Sequence, residues 1–158
     1  MNPFRIYADT SAIGGCHDPE FAEDSRRFIE GVRQGRFVLL TSEIVLTELQ
    51  DAPEEVRSIL PSLPEEAVEP VTIGEEVLAL RDAYLDAGIL RPRWLDDAGH
   101  VAAATVARAD AIMSWNFRHI VRLDKMKDYN EVNVENGYGT LTIISPRELP
   151  TGEDHGEE

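Results

Sequence analysis

The chain has 158 residues, 42% of them hydrophobic and 28% charged, proportions of one globular domain that exclude a disordered chain and a two-domain enzyme. A single cysteine, Cys16, excludes an internal disulfide framework. Fifteen Lys and Arg against thirty Asp and Glu give a net charge of −15, which taken alone argues against a polyanionic partner such as nucleic acid.

No apolar run approaches the roughly 18 residues of a membrane-spanning helix. The start, Met1-Asn2-Pro3-Phe4-Arg5, lacks the apolar stretch of a signal peptide. A soluble, cytoplasmic protein is expected. In chain order, Phe4-Arg5-Ile6-Tyr7-Ala8 alternates faces like a strand and runs into Asp9-Thr10-Ser11, residues suited to a turn or helix cap. Pro19 to Gln34 carries Phe21, Phe28, Ile29 and Val32 at helical spacings and stops at Gly35. The apolar run Phe37-Val38-Leu39-Leu40 suits a strand buried on both faces of a parallel sheet. Ser42 is placed to cap a helix with Ile44, Val45, Leu46 and Leu49, and Asp51 to Leu60 reads as a further short helix closed by Pro61 and Pro64.

Val68 to Ile73 is the third expected strand. Glu75 to Asp86 has a broad apolar stripe and a stop at Gly88. After Arg91-Pro92-Arg93, Asp96 or Asp97 begins an alanine-rich helix that runs to Arg108. Asp110 to Ser114 is a strand, Trp115 to Asp124 begins a loop or short helix, Glu135 to Gly139 is a loop, and Leu141 to Ile144 is the last strand. Strands alternating with helices imply an α/β three-layer sandwich around a mainly parallel sheet, in one domain over residues 1–150. The tail 151–158 has Glu153, Asp154, Glu157 and Glu158 and no Lys or Arg. It is expected to be disordered, and the acidity extends into the folded body as well.

Ligands of open parallel sheets bind outside the carboxyl ends of the strands. Asp9 stands at such an end, either as a functional acid or as a cap. Glu48 follows Ile44 and Val45 by four and three residues, so on a helix it leans toward the buried face and needs a partner or a metal, unless its head group reaches water. Asp97 lies at a helix start, where the dipole favours the ionised form, and one of Asp96 and Asp97 is the cap. Asn116 follows the strand Asp110 to Ser114, where its amide holds either a hard cation or a turn. His100, with His17, His119 and His155, forms no zinc spacing and is assigned to packing or a supporting contact. An all-oxygen set suits Mg²⁺ or Mn²⁺, and three acids in one pocket repel one another without bound cations or protons. Arg118, Arg122, Lys125 and Lys127 form a basic strip around His119, with Arg91 and Arg93 as a second pair. The strip is a local basic surface inside a negative protein, and Trp94, Trp115, Phe117 and Tyr129 near the strand ends are either stacking surfaces or core.

Four segments carry a resemblance: Tyr7-Ala8-Asp9-Thr10-Ser11; Thr41 to Leu49; Asp97-Ala98-Gly99-His100-Val101-Ala102-Ala103-Ala104; and Asp110 to Phe117. In this order they resemble the PIN-domain ribonucleases, especially toxins of VapC type, over about Phe4 to Leu149. The resemblance implies a PIN-like fold and metal-dependent hydrolysis of RNA phosphodiesters by a toxin paired with an antitoxin protein. Homodimers are implied as well. Asp9, Glu48 and Asp97 match the family's three principal acids, and Ser11 matches the small hydroxyl residue beside the first. Asn116 stands where a fourth acid is often found, which weakens the expectation of a second metal. Asp96 and Asp110 are substitutes for that acid, although Asp110 also suits a structural role at its strand start. Arg118, Arg122 and Lys125 are the expected RNA contacts.

Two other readings stay open. One is a catalytically weak or inactive PIN-like module acting through protein partners. The other is a phosphoryl-transfer enzyme with an Asp after its first strand, against which Ser11 stands where a second Asp is needed. Gly14-Gly15 also lacks the lysine of a phosphate-binding loop.

Overall fold

The computed structural model describes residues 2–149; the expected disorder of the tail 151–158 lies outside the described residues. Five strands form one sheet, β1 (Phe4–Ala8), β2 (Phe37–Ser42), β3 (Val68–Val71), β4 (Ala111–Met113) and β5 (Ile143–Ile144), in the order β3-β2-β1-β4-β5. All four pairings are parallel, with Tyr7 opposite Leu40 on one side and Ile112 on the other. The sheet is therefore wholly parallel, and helices flank it in an α/β three-layer fold. β1 lies at the centre because Ile6, Tyr7 and Ala8 are apolar and buried on both faces, as are Leu39, Leu40, Ile112 and Met113 beside it. β3 tolerates Pro70 because it is an edge strand, which has one side free of ladder partners.

The connecting helices are α1 (Thr10–Gly14), α2 (Ala22–Arg33), α3 (Glu43–Leu49), α4 (Glu54–Arg57), α5 (Glu75–Asp86), α6 (Leu95–Val106) and α7 (Leu123–Glu135). The chain winds from β1 to β2 to β3, then returns across the sheet to β4 and β5. Right-handed crossovers then place the helices of the outward and return journeys on opposite faces, and α6 and α7 both pack on α5. α6 is buried from Ala98 to Thr105, as its nearly all-apolar surface requires. Among the described residues no helix is long and apolar enough to cross a membrane.

Several local expectations need correction. The helix expected from Pro19 begins at Ala22, whereas Asp9 is the helix cap that the segment after β1 suggests. Ser42 occupies the N-cap position of α3 but makes no capping bond, because its hydroxyl pairs with Tyr7 Oη at 2.8 Å. Neither Asp96 nor Asp97 caps α6: both lie in its first turn, after Trp94. Only Glu54–Arg57 of the expected 51–60 helix is α-helical. Helix α7 was not expected at all.

The reason α7 hides in the sequence is that its buried side includes amides. Asn133 is fully buried and accepts from Tyr84 Oη at 2.5 Å, while Asn130 exchanges bonds of 2.7 and 3.1 Å with the backbone of Leu141. A polar residue in such a position breaks the apolar stripe on which helix detection depends. One backbone feature stands out beyond α6. Arg108 adopts φ +59°, a left-handed conformation that costs a side-chain-bearing residue about 1 kcal/mol and that glycine adopts freely.

Candidate functional site

The strand order reverses between β1 and β4, the place in a parallel sheet where the loops leaving the carboxyl ends diverge and open a crevice. Asp9 leaves β1 there as the N-cap of α1. Its Oδ1 accepts from the Ala12 amide at 3.0 Å and from Ser11 Oγ at 2.8 Å, and its Oδ2 accepts from Ser114 Oγ at 2.6 Å. Each of those hydroxyls also accepts a backbone amide of the loop after β4: Ser11 takes that of Trp115 and Ser114 that of Asn116, both at 2.8 Å. One buried carboxylate thus joins the ends of the two central strands through two serines. Burial pushes the Asp9 carboxyl above its usual range, against the opposing pull of His100 and of the three donors. Of the two readings of Asp9 the structure displays the helix cap, at the carboxyl end of β1.

Glu48 comes from α3 and is half-buried. Its Oε1 accepts from Thr10 Oγ1 and from His100 Nε2, the latter at 2.9 Å. An ionised carboxylate has no proton to give, so His100 donates there. On the other side of the ring, Nδ1 stands 2.9 Å from Tyr7 Oη, which continues to Ser42. Burial works against ionisation of Glu48, but the hydrogen bond and charge of His100, with Thr10, outweigh it and hold the carboxyl below its usual range. His100 itself is 2% exposed. Burial lowers its basicity, while Glu48, Asp9 and Asp97 together raise it above the ordinary histidine value.

This contact depends on a close approach of α3 and α6. A Cβ on Gly99 would lie 2.8 Å from Ile44 Cδ1, so glycine there lets the α6 backbone pass beside α3 and bring His100 against Glu48. Gly15 has a similar place below the loop after β4. A Cβ would lie 2.5 Å from Ser25 Oγ and 2.6 Å from Trp115 Nε1, atoms that bond each other at 2.8 Å.

Asp97 points from the first turn of α6, where its Oδ2 accepts from His119 Nδ1 at 2.7 Å. Asn116 spends its side-chain oxygen on the amides of Arg118 at 3.2 Å and His119 at 2.9 Å. Of the two expectations for Asn116, a cation ligand or a turn, the geometry displays the turn: the amide oxygen has two donors already, and what remains is Nδ2, a donor rather than a ligand. Asn116 also orients His119, and through it Asp97. Asp110 accepts from the Arg5 amide at 2.7 Å at the start of β4, a structural contact at the far end of that strand.

Glu48, Asp97 and Asn116 line one cleft of about 620 Å³, with Arg93, Trp94 and Arg118 around it. Asp9 lies outside its lining, buried among the two serines. His119 packs on Trp94 with ring centroids 4.5 Å apart, and the Arg93 guanidinium lies 4.8 Å from the Trp94 ring. Phe117 and Trp115 also line the cleft, whereas Tyr129 is core. Of the expected basic strip only Arg118 reaches the cleft. Arg122 forms an ion pair with Asp124 at 2.8 Å, Lys127 with Glu131 at 2.7 Å, and Lys125 donates to the Ile89 carbonyl at 2.5 Å. Arg93, from the second basic pair, takes their place.

The donor set of Asp9, Glu48 and Asp97 is all oxygen and anionic, which fits a hard divalent cation. Among the described residues Glu48 Oε2 and Asp97 Oδ1 have no protein donor, and Asp9 Oδ2 has one. As packed here the acids are nevertheless given to protein partners, and among the described residues no three His, Cys, Asp or Glu side chains form a group arranged to hold a metal ion. Mutual repulsion is relieved by His100 and the serines, so repulsion alone does not require a cation. His100 makes the supporting contact expected of it, while the roles of His119, Thr10 and Ser114 are not signalled by the sequence. Their partners lie far away in the chain, Glu48 being 52 positions from His100, and no local spacing announces such contacts.

No protein-family model matches the chain, and no curated protein matches it. Among solved structures, the chain resembles one from VapBC2 of Rickettsia felis bound to a DNA fragment from their promoter, with a TM-score of 0.58 and 14% identity over 90% of this chain and 98% of that one. FitAcB from Neisseria gonorrhoeae gives 0.56 and 14%, over 91% and 99%. At this identity the likeness establishes a shared fold over nearly the whole chain.

Proposed function

We propose that the chain is a metal-dependent endoribonuclease of PIN type and the toxin of a toxin–antitoxin pair. The observation that carries the reading is the convergence of Glu48 and Asp97 on one cleft at the switch point of a parallel sheet, with Asp9 buried at the carboxyl end of the central strand and held by Ser11 and Ser114. The four motif segments supply these residues, and the fold likeness to chains of VapBC2 and FitAcB supports the same family. An antitoxin protein, a homodimer and an RNA substrate belong to this proposal.

Asp9, Glu48 and Asp97 would hold Mg²⁺ or Mn²⁺, which when bound supplies an ionised water and neutralises charge on the leaving oxygen. The chain's own groups prepare the site. Ser11 and Ser114 fix the Asp9 carboxylate, Thr10 and His100 fix Glu48, and His119 fixes Asp97. Arg93 and Arg118 offer cations to the RNA backbone, and the faces of Trp94 and Phe117 offer stacking surfaces to unpaired bases. These local cations offset the overall negative charge at the one place where phosphate must approach.

A second reading, a PIN-like module acting through protein partners, is favoured by Asn116 and by the engagement of the acids with protein donors. Incubation of the protein with single-stranded and structured RNAs and Mn²⁺ or Mg²⁺, beside EDTA and Asp9→Asn controls, separates the two. Cleavage abolished in both controls is expected. No cleavage together with no calorimetric Mn²⁺ binding would replace the nuclease with the partner-binding module.

A further inference from the structure

At the opposite end of the sheet, a second cleft of about 380 Å³ lies between the end of α6 and the loop from α7 to β5, lined by Arg108, Tyr138, Gly139 and Thr140 among others. Among the described residues no carboxylate lines it. Of its polar groups the buried Thr105 hydroxyl is bonded to the Val101 carbonyl at 2.9 Å, whereas among the described residues the exposed Arg108 guanidinium, the exposed backbone amides of Gly139 and Thr140 and the hydroxyls of Tyr138 and Thr140 have no protein partner. The loop is nonetheless fixed on both sides, by Asn133 O accepting from the Tyr138 amide at 2.9 Å and by Asn130 accepting from the Leu141 amide at 2.7 Å. Arg108 stands in the left-handed conformation where glycine is cheapest, and its carbonyl is tied to Arg5 Nη1 at 2.9 Å.

We propose that this cleft is a phosphate-binding site, in which the Arg108 guanidinium and the amides of Gly139 and Thr140 receive the oxygens of a phosphate group. A guanidinium fork and backbone amides lining one cleft match the charge and hydrogen-bonding needs of a phosphate, and a loop tied down at Tyr138 and Leu141 presents them with little ordering on binding. The site is separate from the acidic cleft at the carboxyl ends of the strands and does not depend on the nuclease reading.

The test is a titration of ¹⁵N-labelled full chain with inorganic phosphate, at constant ionic strength in a buffer without phosphate, read at the Gly139 and Thr140 amides. Saturable shifts are expected in the native chain, with affinity reduced at least tenfold in Arg108→Gly. That variant relieves the left-handed backbone, so it is expected to melt at the same temperature or higher. Shifts that do not saturate, or equal affinity in the two chains, would overturn the site. Parallel titrations with 5′-AMP and with a trinucleotide lacking terminal phosphate identify the source: tighter 5′-AMP binding with added shifts at Tyr138 assigns a mononucleotide, and trinucleotide binding assigns a backbone diester.

Discussion

Ser114 holds a position that no neighbouring residue in the sequence explains, because it donates to Asp9 Oδ2 across 105 positions while accepting the Asn116 amide. Replacing it by alanine removes the donor that a buried carboxylate uses and leaves a backbone amide without its acceptor. Unsatisfied buried groups of this kind cost about 1–3 kcal/mol. Ser114→Ala is therefore expected to lose about that much stability in urea denaturation at neutral pH, and a change within a few tenths would show that Asp9 does not rely on it. The acids themselves were legible in the sequence, Asp9 at the end of a strand, Asp97 at the start of a helix, and Glu48 by its spacing from Ile44 and Val45. Their hydrogen-bond partners were not. His119 lies 22 positions from Asp97, and only the fold makes it the group that orients that acid.

Helix α7 begins with a contact whose pH dependence follows from its geometry. Arg122, at the N-cap position, donates through Nε and Nη2 to the two oxygens of Asp124 at 2.8 Å each, in the first turn of the helix. The hydrogen bond and charge of Arg122 lower the Asp124 carboxyl to about 2, against about 3.9 in an unfolded chain. A carboxyl depressed in the folded state adds stability above its unfolded value and loses it as pH falls from there toward the folded one. A carbon-13 NMR titration is expected to put the Asp124 midpoint near 2 in the native chain, and near the ordinary value in Arg122→Ala. A native midpoint near 4 would mean that the pair does not form in solution. At this scale the sequence was a good guide where apolar periodicity was intact, as in α5, whose bounds match the expected Glu75–Asp86. It failed at α7, where Asn130 and Asn133 interrupt the stripe, and at the caps of α3 and α6, where Ser42 bonds Tyr7 instead of capping and Asp96 and Asp97 lie within the first turn, Asp97 accepting from His119.

Over the whole molecule, the charge of −15 acts against compactness, because like charges repel more strongly in the folded chain than in an expanded one. Among the described residues the opposing ion pairs of Arg and Lys are partly or largely exposed. Arg5–Glu69 has side chains 34% and 41% exposed, and Lys127–Glu131 71% and 59%, so each contributes about 0–1 kcal/mol. Salt weakens both effects, but not equally. Pairs at 2.6–2.7 Å lie well inside the screening length of about 10 Å at 0.1 M, whereas repulsion summed over the surface acts mostly beyond it. Added salt therefore removes more repulsion than attraction. The melting temperature is expected to rise when NaCl is increased from about 20 mM to about 300 mM, a range over which the screening length contracts severalfold. Choline chloride in place of NaCl should give the same rise, since screening depends on ionic strength and not on the cation. A fall in melting temperature with salt would instead mean that short-range pairs dominate the electrostatics of the folded chain, and that its acidic surface is held in balance by contacts stronger than their exposure allows.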